Sequence, residues 1–158
     1  MTQDNRQPFE QHSTPTGKPL HFLTNPRPPS AQTLATEVLD YDERTGEVHA
    51  RFYAPASFTS PRGTIQGGLV AGFIDDIIGL PVLVVTDGQL APLTLDLRLS
   101  YMKPVPVGTI YGKARIVKLG RKIGFLEAEL YSEQGEVLVR SSTTVMLHRH
   151  PRARDDVG

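Results

Sequence analysis

The sequence predicts an α+β domain in which one antiparallel sheet of six strands wraps around a single central helix. Three observations lead to this prediction. Segments with alternating apolar and polar residues recur along the chain, as expected for half-buried strands. Turn sequences containing Gly or Pro separate them, which is typical of antiparallel neighbours. The segment TIQGGLVAGFIDDIIGLPV (residues 64–82) has helical spacing, and a single apolar helix must bury itself against the sheet.

The first two strands are predicted on either side of the sequence DERTG, in which Gly46 supplies a turn. The segment TLATEVLDY (residues 33–41) is the first strand of this hairpin, and EVHARFYA (residues 47–54) is the second. The second strand has the two-residue period expected when one face of a strand is buried. Its apolar face consists of Val48, Ala50, Phe52 and Ala54.

Four further strands are predicted after the helix as an antiparallel meander. They span residues 94–102, 109–119, 123–132 and 137–149, with turns at KPVPVG, LGRK and EQGE. Because the helix covers only one face of the sheet, the other face or an edge is expected to pair with a second copy, giving at least a homodimer. In the first of these strands, the predicted apolar face is Leu95, Leu97, Leu99 and Tyr101, and the predicted polar face is Thr94, Asp96, Arg98 and Ser100.

The two ends of the chain differ from its body. Residues 1–30 contain six of the 13 prolines, and such a stretch cannot hold a long helix or a central strand. We predict a Pro-rich N-terminal arm over residues 1–30, a folded domain over residues 31–148 and a flexible tail over residues 149–158. The N-terminus lacks the apolar core of a secretory signal and the chain has no Cys, so a cytoplasmic protein without disulfides is expected.

Charge and composition argue against several classes of function. Lys plus Arg and Asp plus Glu number 17 each, so the net charge of zero gives no electrostatic basis for binding nucleic acid or an anionic membrane. The apolar run IIGLPVLVV is shorter than a membrane span. No metal site is expected, because His148 and His150 lie two residues apart without a third ligand nearby. Neither a nucleophile elbow nor a phosphate-binding loop occurs in the sequence.

Two acidic residues interrupt the apolar helix. With about 100° per residue, Asp76 lies on the flank of the apolar stripe and Asp75 lies nearly opposite its centre. The residues around Asp75 on that face are Ala71, Gly72 and Gly79, whereas an ordinary solvated face carries Lys, Glu or Arg. Asp75 is therefore either a plain surface residue or a carboxylate in a narrow, partly dry site that a ligand or partner approaches. The predicted stripe consists of Leu69, Val70, Phe73, Ile74, Ile77 and Ile78.

The start of the helix is rich in glycine, in the sequence GTIQGG (residues 63–68). Gly67 and Gly68 allow a backbone to approach a substrate closely, and the first N–H groups of a helix have no acceptor within it. Together with the positive end of the helix dipole, these donors can bind an oxyanion. The simpler interpretation, in which the glycines only form a tight turn, stays open on this evidence.

The pattern G-G-x-x-x-x-hydrophobic-x-Asp, on the only predicted helix of a β-β-α-β-β-β-β chain, resembles the hotdog-fold acyl-CoA thioesterases, most closely the phenylacetic-acid-degradation type. The resemblance covers residues 32–148. That family typically has His-Gly-Gly with Asp or Glu nine residues after the His. In this chain Gln66 stands at the His position and Asp75 at the carboxylate position. The downstream order of strand, Pro turn, strand, basic turn and strand is also similar.

The resemblance implies a role for each matching residue. Asp75 would be the general base for water or the nucleophile that attacks the thioester carbonyl. The backbone N–H of Gly67 would be the oxyanion donor, with Gly68 beside it in contact with the substrate. Gln66 can hydrogen-bond water or a thioester oxygen but, unlike His, cannot take a proton. Because the family's sites form between two subunits, Asp75 and Gly67 of one site are expected to come from different chains.

Further substrate contacts follow from the same resemblance. The family has a helper polar residue a few positions before the His, and a basic turn is a candidate for contacts to the coenzyme A phosphates. A solvated turn that protects a sheet edge is the simpler interpretation of the basic residues. The candidates are Ser60 or Thr59 as the helper, Arg121 and Lys122 for the phosphates, and Lys103 and Arg98 as weaker phosphate contacts.

The predicted function is hydrolysis of an acyl-CoA or related thioester to free acid and thiol, by a homodimer or a dimer of dimers. Coenzyme A enters as part of the substrate, and no cofactor is expected. Two alternatives stay open. One is a non-catalytic acyl-CoA-binding or sensing protein that uses the same groove, and the other is an enoyl-CoA hydratase of the hotdog type. The acyl group is not determined by the sequence.

Overall fold

The computed structural model describes residues 28–151, in which one sheet packs against one long helix. The helices are α1 (Pro29–Thr33), α2 (Gly67–Ile78) and α3 (Leu80–Val85), and a 3-10 turn spans Ala56–Phe58. The strands are β1 (Glu37–Tyr41), β2 (Val48–Ala54), β3 (Leu90–Tyr101), β4 (Gly108–Leu119), β5 (Ile123–Tyr131) and β6 (Val137–Arg149).

All neighbouring strands of the sheet are antiparallel, in the order β1-β2-β4-β5-β6-β3. The strands β4, β5 and β6 form the predicted meander. The strand β3 pairs with β6 rather than with β4, its neighbour in sequence, so β1 and β3 are the two edges of the sheet. The predicted α+β fold, a six-stranded antiparallel sheet around one long central helix, is confirmed.

The helix α2 provides the centre of the hydrophobic core. Phe73 is completely buried, and its ring centroid lies 5.1 Å from that of Phe52 on β2 and 6.2 Å from that of Phe58. Burying such a side chain contributes about 1.5–3 kcal/mol. Leu69, predicted on the same stripe, is 36% exposed because it lies seven residues before Asp76 and so on the same flank of the helix. The buried residues of α2 are Val70, Phe73, Ile74, Ile77 and Ile78.

Two glycines permit close packing between α2 and the sheet. A Cβ atom at Gly112 of β4 would lie 2.6 Å from Cδ1 of Ile77, and one at Gly79 would lie 2.6 Å from Cγ of Pro92 on β3. Such distances are far shorter than van der Waals contact, so a side chain at either position would push the elements apart. Packing against Pro92 within the chain therefore explains why residue 79 is glycine. From the helix pattern alone, this glycine is interpreted as leaving room for a ligand or partner.

The edge strand β3 contains a bulge between Thr94 and Asp96. The predicted alternation is wrong at Leu95, which is 55% exposed, because the extra residue of a bulge shifts the following side chains relative to the preceding ones. Thr94 pairs with the buried Val145 of β6, on the face that α2 covers. The bulge therefore turns Thr94 toward the helix, on the opposite face from that predicted, whereas Leu97 packs against the core as expected.

The N-terminal elements are shorter than predicted. The predicted strand over residues 33–41 is correct only from Glu37, because α1 extends to Thr33 and Ala35 has a φ of +50°. Pro29 suits the first position of α1, where a backbone N–H would have no acceptor within the helix. The rest of the predicted arm, residues 1–27, and residues 152–158 of the predicted tail lie outside the described residues.

The stretch Gly67–Val85, which contains α2 and α3, is 19 residues long with a mean hydropathy of 2.0, and by length and composition alone it is sufficient to cross a membrane. The apolar run IIGLPVLVV considered in the sequence analysis is shorter than a span, and this stretch reaches the required length only because it also includes the two acids. The buried core helix of a soluble protein satisfies the same criterion, and α2 supplies the centre of this core. The stretch is therefore weak evidence for a membrane span.

Candidate active site

Asp75 lies on the face of α2 that points away from the core, where a threonine of the neighbouring strand contacts it. The Asp75 Oδ1 atom accepts a hydrogen bond of 2.8 Å from the Thr94 Oγ1–H group. Among the ion pairs formed within residues 28–151, none involves Asp75, as expected from the lack of nearby Lys or Arg in the sequence. One hydrogen bond orients the carboxylate and leaves acceptor positions for water or a substrate.

Thr94 is a site residue that the sequence interpretation missed. The alternation of β3 predicts Thr94 on the polar outer face, together with Asp96. Because Thr is common in strands, its presence there gives no indication of a site. Only the bulge brings its hydroxyl to the helix. A bulge beside a functional carboxylate is a known way of re-aiming a side chain, but no local sequence signal locates it here.

A cavity of about 410 Å³ opens beside Asp75. Its walls come from α1, α2, α3 and the start of β3, and the described residues that line it include no Lys, Arg or His. The lining residues are Ser30, Leu34, Gly72, Asp75, Asp76, Gly79, Leu80, Leu83 and Pro92. Asp75 is exposed in the single chain, and this cavity is the concave surface that its carboxylate borders.

The second acid of the helix, Asp76, has a different environment from Asp75. Its Oδ2 atom accepts a hydrogen bond of 2.5 Å from the hydroxyl of Thr36, whose side chain is buried. This bond joins α2 to the segment that follows α1. The two adjacent acids therefore have different structural environments. The hydrogen bond of Asp76 connects two parts of the fold, whereas Asp75 accepts its bond from Thr94 at the border of the cavity.

The start of α2, where the oxyanion donor is predicted, presents backbone and side-chain N–H groups. Gln66 is the N-cap, and its Oε1 accepts a hydrogen bond of 3.1 Å from the Leu69 N–H. Because the N–H must face an oxygen, the two hydrogens of the Gln66 amide point elsewhere and stay able to donate. Within the described part of the chain, the N–H groups of Gly67 and Gly68 donate to no protein acceptor, as expected for a first helical turn.

The first turn of α2 is also held by Tyr101, the last residue of β3. Its hydroxyl donates a hydrogen bond of 2.6 Å to the carbonyl oxygen of Gly67, although its side chain is 53% exposed. Tyr101 pairs with the buried Val139 and so lies on the predicted face, where its hydroxyl positions Gly67. A tyrosine at a strand end carries no sequence signal for this contact.

One protomer does not bring the predicted oxyanion donor and carboxylate together. Gly67 and Asp75 are eight residues apart on the same helix, which corresponds to about 12 Å along its axis. A reacting carbonyl must lie about 3 Å from both groups. Both groups can therefore act on one carbonyl only if a second chain supplies one of them.

The helper candidates lie in the loop before α2. The Thr59 hydroxyl donates to the Ala56 carbonyl at 2.8 Å, and the Ser60 Oγ accepts from the Arg62 N–H at 3.3 Å. The loop folds back on the helix start, because the N–H of Gln66 bonds the carbonyl of Phe58. Both hydroxyls thus make local contacts close to Gln66 in the chain.

The basic turn lies between β4 and β5, at the end of the sheet nearest the end of α2. Arg121 and Lys122 are exposed and line an open cavity of about 610 Å³ with Lys118 and Phe125. The Lys122 carbonyl bonds the N–H of Leu147, which pairs with Pro92 on β3. Two strand spacings, about 10 Å, therefore separate the basic turn from that strand.

The weaker phosphate candidates have acidic partners. Arg98 forms an ion pair of 3.1 Å with Asp96, and Lys103 pairs with Glu136. These pairs lower the availability of both cations for a phosphate. Among residues 28–151, no group of three or more His, Asp or Glu is arranged to hold a metal ion.

Known proteins share the segment that carries these residues. The sequence profile of the thioesterase superfamily matches residues 62–139. Acyl-coenzyme A thioesterase 13 of Homo sapiens is 30% identical to the chain over 87 residues, which are 54% of this chain and 61% of the human protein. The chain thus aligns with less than two thirds of that relative's length.

Solved structures share the fold over most of its length. The phenylacetic acid degradation-related protein of Ralstonia eutropha superposes with a TM-score of 0.74 at 28% identity, covering 80% of this chain and 96% of that one. A Streptococcus mutans protein bound to acetyl CoA superposes with a TM-score of 0.64 at 18% identity, covering 73% and 90% of the two chains. At that identity the second likeness shows the fold alone.

Proposed function

We propose that the protein hydrolyses an acyl-CoA thioester to free acid and thiol, on the premise that its residues 62–139 match the sequence profile of the thioesterase superfamily. The observation that carries the proposal is the Asp75 carboxylate, held by Thr94 at the border of a cavity. The human relative is named an acyl-coenzyme A thioesterase, and this name supports an acyl-CoA substrate.

The exposed edge of the sheet supports the second chain that the site requires. The strand β3 is 12 residues long, and its outer side chains Leu93 and Leu95 are 49% and 55% exposed. A long apolar edge strand pairs readily with another strand. A homodimer joined through two β3 edges would pair the free backbone N–H and C=O groups of this strand, and a further association of two such dimers would leave the shared site unchanged.

The contacts at the two ends of β3 show what such pairing would do. Thr94 contacts Asp75 near one end of the strand, and Tyr101 contacts Gly67 at the other. If Leu95 stays unpaired as the extra residue of the bulge, antiparallel pairing about a two-fold axis through Arg98 places Thr94 opposite Tyr101 of the partner subunit. Asp75 then faces the N–H of the partner subunit's Gly67, and each dimer has two equivalent sites.

The proposed reaction uses two groups, one from each subunit. The N-terminal end of α2 in one subunit stabilises the negative charge on the thioester oxygen, and the carboxylate near the C-terminal end of α2 in the other subunit drives the attack on the carbonyl. The N–H of Gly67, with the free hydrogens of Gln66 nearby, holds the thioester oxygen as it becomes an oxyanion. Asp75 removes a proton from water that attacks the carbonyl carbon, or attacks that carbon itself to form an anhydride that water then cleaves. The carbon–sulfur bond breaks and the thiol leaves with a proton. Coenzyme A is part of the substrate, and the proposal includes no metal or cofactor.

The basic turn is the proposed contact for the phosphates of coenzyme A. Arg121 and Lys122 are exposed, are free of the ion pairs described above and lie at the same end of the sheet as Pro92. Exposed cations bind phosphate oxygens through charge-assisted hydrogen bonds. A cytoplasmic location, where acyl-CoA is available, is part of the same proposal.

Free-thiol release from a panel of acyl-CoAs tests the proposed function. Steady thiol release by the purified protein is the expected result. Binding of acyl-CoA without turnover would instead support the non-catalytic binder. Consumption of an enoyl-CoA without thiol release would support the hydratase. The absence of both binding and turnover would overturn the proposal.

Gly67→Pro is expected to lower kcat for thiol release by about 10²–10³-fold, because proline lacks the N–H that holds the oxyanion. The fold should tolerate proline there, since it suits the first position of a helix. Gln66 already has φ −64° and ψ 135°, the extended conformation that precedes proline. The measurement is kcat by thiol release, with circular dichroism to verify the helix content.

Gly67→Ala is the matched control for this variant. It keeps the N–H, and its Cβ would lie 3.4 Å from the Tyr101 hydroxyl, near ordinary contact. We expect it to retain most of the wild-type kcat. Equal rates for the proline and alanine variants would show that the Gly67 N–H does not stabilise the oxyanion.

Mixed dimers are expected to recover activity from two inactive variants. When Gly67→Pro and Asp75→Asn chains are unfolded together and refolded, random pairing leaves about a quarter of all sites with both groups intact. Thiol release by the mixture should therefore approach about a quarter of the wild-type rate. Each variant refolded alone is the control. A mixture no more active than either variant would show that one chain supplies both groups.

A further inference from the structure

The cavity beside Asp75 is closed on one side by α1 and the residues that follow it. We propose that this wall is the specificity-determining element of the site, in which Leu34 limits how far the apolar part of an acyl group extends past Asp75. The inference rests on the proposed hydrolysis and deepens it by naming the substrate class. That class is thioesters whose acyl group is an apolar chain or ring of several carbons, rather than acetyl.

The cavity has the chemistry that such an acyl group requires. Its volume of about 410 Å³ lies within the range of small-molecule sites. The polar side chains that line it are Asp75, Asp76 and Ser30. The Asp76 carboxylate already accepts a hydrogen bond from Thr36. The apolar side chains that line the remainder are Leu34, Leu80, Leu83 and Pro92. A reacting carbonyl at Asp75 would thus have apolar surface behind it.

The two glycines on this face of α2 differ in what lies opposite them. At Gly79 the space is filled, since a Cβ atom would lie 2.6 Å from Pro92. At Gly72 a Cβ atom would meet only Cδ2 of Leu34, at 4.0 Å. The gap between the Gly72 backbone and the Leu34 side chain is therefore narrow, and the size of the residues at these two positions sets its width.

Three features hold the wall in place against α2. The Thr36 hydroxyl donates to Oδ2 of Asp76 at 2.5 Å, and the Thr36 N–H donates to the Ala31 carbonyl at 2.9 Å. Between Leu34 and Thr36, Ala35 has a φ of +50°, a conformation that a residue with a Cβ adopts only where its surroundings impose it. The position of Leu34 is thus set by a hydrogen bond to the helix that carries Asp75.

Substitution of Leu34 tests the proposal through acyl-chain preference. The measurement is kcat/KM by thiol release for acetyl-, hexanoyl-, decanoyl- and phenylacetyl-CoA. In Leu34→Ala, the ratio of decanoyl-CoA to acetyl-CoA should rise about tenfold, and in Leu34→Phe it should fall about tenfold, since one or two methylene groups in a pocket change discrimination by this amount. The control is Val117→Ala, an apolar truncation at a side chain 55% exposed on β4, with an unchanged ratio expected.

Gly72 faces Leu34 from α2, and its substitution provides a second test of the proposal if Leu34→Ala does not fold. In Gly72→Ala the added methyl group enters the gap from the α2 side, without a clash and with a better helix-forming residue. The ratio of decanoyl-CoA to acetyl-CoA should fall. Ratios equal to wild type in both Leu34→Phe and Gly72→Ala would overturn the proposal, although thioester hydrolysis would still stand.

The hydrogen bond to Asp76 is tested by Thr36→Val and Thr36→Ser. Valine keeps the shape of threonine without the hydroxyl, whereas serine keeps the hydroxyl. We expect valine to weaken the discrimination between acyl groups and serine to restore the wild-type profile, whereas a purely structural role would lower all kcat/KM values together. A wild-type protein that releases no thiol from any acyl-CoA would overturn the proposed function and this inference with it.

Discussion

Replacing Asp75 with Asn is expected to lower kcat for thioester hydrolysis by about 10²–10⁴-fold, because an amide neither accepts a proton nor attacks a carbonyl. The side chain is nearly isosteric and can still accept the 2.8 Å hydrogen bond from Thr94, so the geometry of α2 should be unchanged. Thiol release at saturating acyl-CoA gives kcat, and acyl-CoA binding measured by calorimetry should stay close to that of the wild type.

The chain offers a matched control for this substitution. Asp87 is exposed in the turn after α3 and has a φ of +48°, a conformation that Asn tolerates well. Asp87→Asn removes the same negative charge from the protein without touching the cavity, and we expect wild-type kcat. An Asp75→Asn variant with the activity of this control would exclude Asp75 as base or nucleophile, and with it the proposed mechanism.

Replacing Phe73 with Ala should have the largest effect on stability of the changes considered. Its ring is completely buried between α2 and the sheet, in contact with Phe52 and Phe58. Removing a buried Phe ring costs about 3–5 kcal/mol, from lost burial and from the cavity left behind. The free energy of unfolding from urea titration should fall by this amount, and the Tm by about 10 °C.

A truncation on the exposed flank of the same helix is the control. Leu69→Ala removes a similarly large side chain that is 36% exposed, and it should change the free energy of unfolding much less. A loss for Phe73→Ala no greater than that for Leu69→Ala would mean that the interior closes around the vacated volume. Because subunit association also contributes to apparent stability, both variants should be compared at one protein concentration.

The sequence was sufficient for the parts of the site that lie on one helix. The spacing from Gly67 to Asp75 predicts a helix start with free N–H groups and a carboxylate that points outward, because helical geometry relates these positions directly. The capping role of Gln66 was not predicted. The sequence did not predict Thr94, because the bulge in β3 places that hydroxyl on the face opposite to the one given by simple alternation. The one extra residue of the bulge, Leu95, was enough to reverse the predicted orientation of Thr94.

The sequence by itself determined the α+β fold, the long central helix, the first hairpin and the β4-β5-β6 meander, because these depend on hydrophobic period and turn residues along the chain. Only the tertiary structure decided that Gly79 serves packing while Gly72 borders open space, and that Leu34 closes the cavity. It also placed β3, which the sequence predicts beside β4, at the edge of the sheet, where a second copy can pair with it. These features depend on contacts between residues far apart in the chain, which no local pattern encodes.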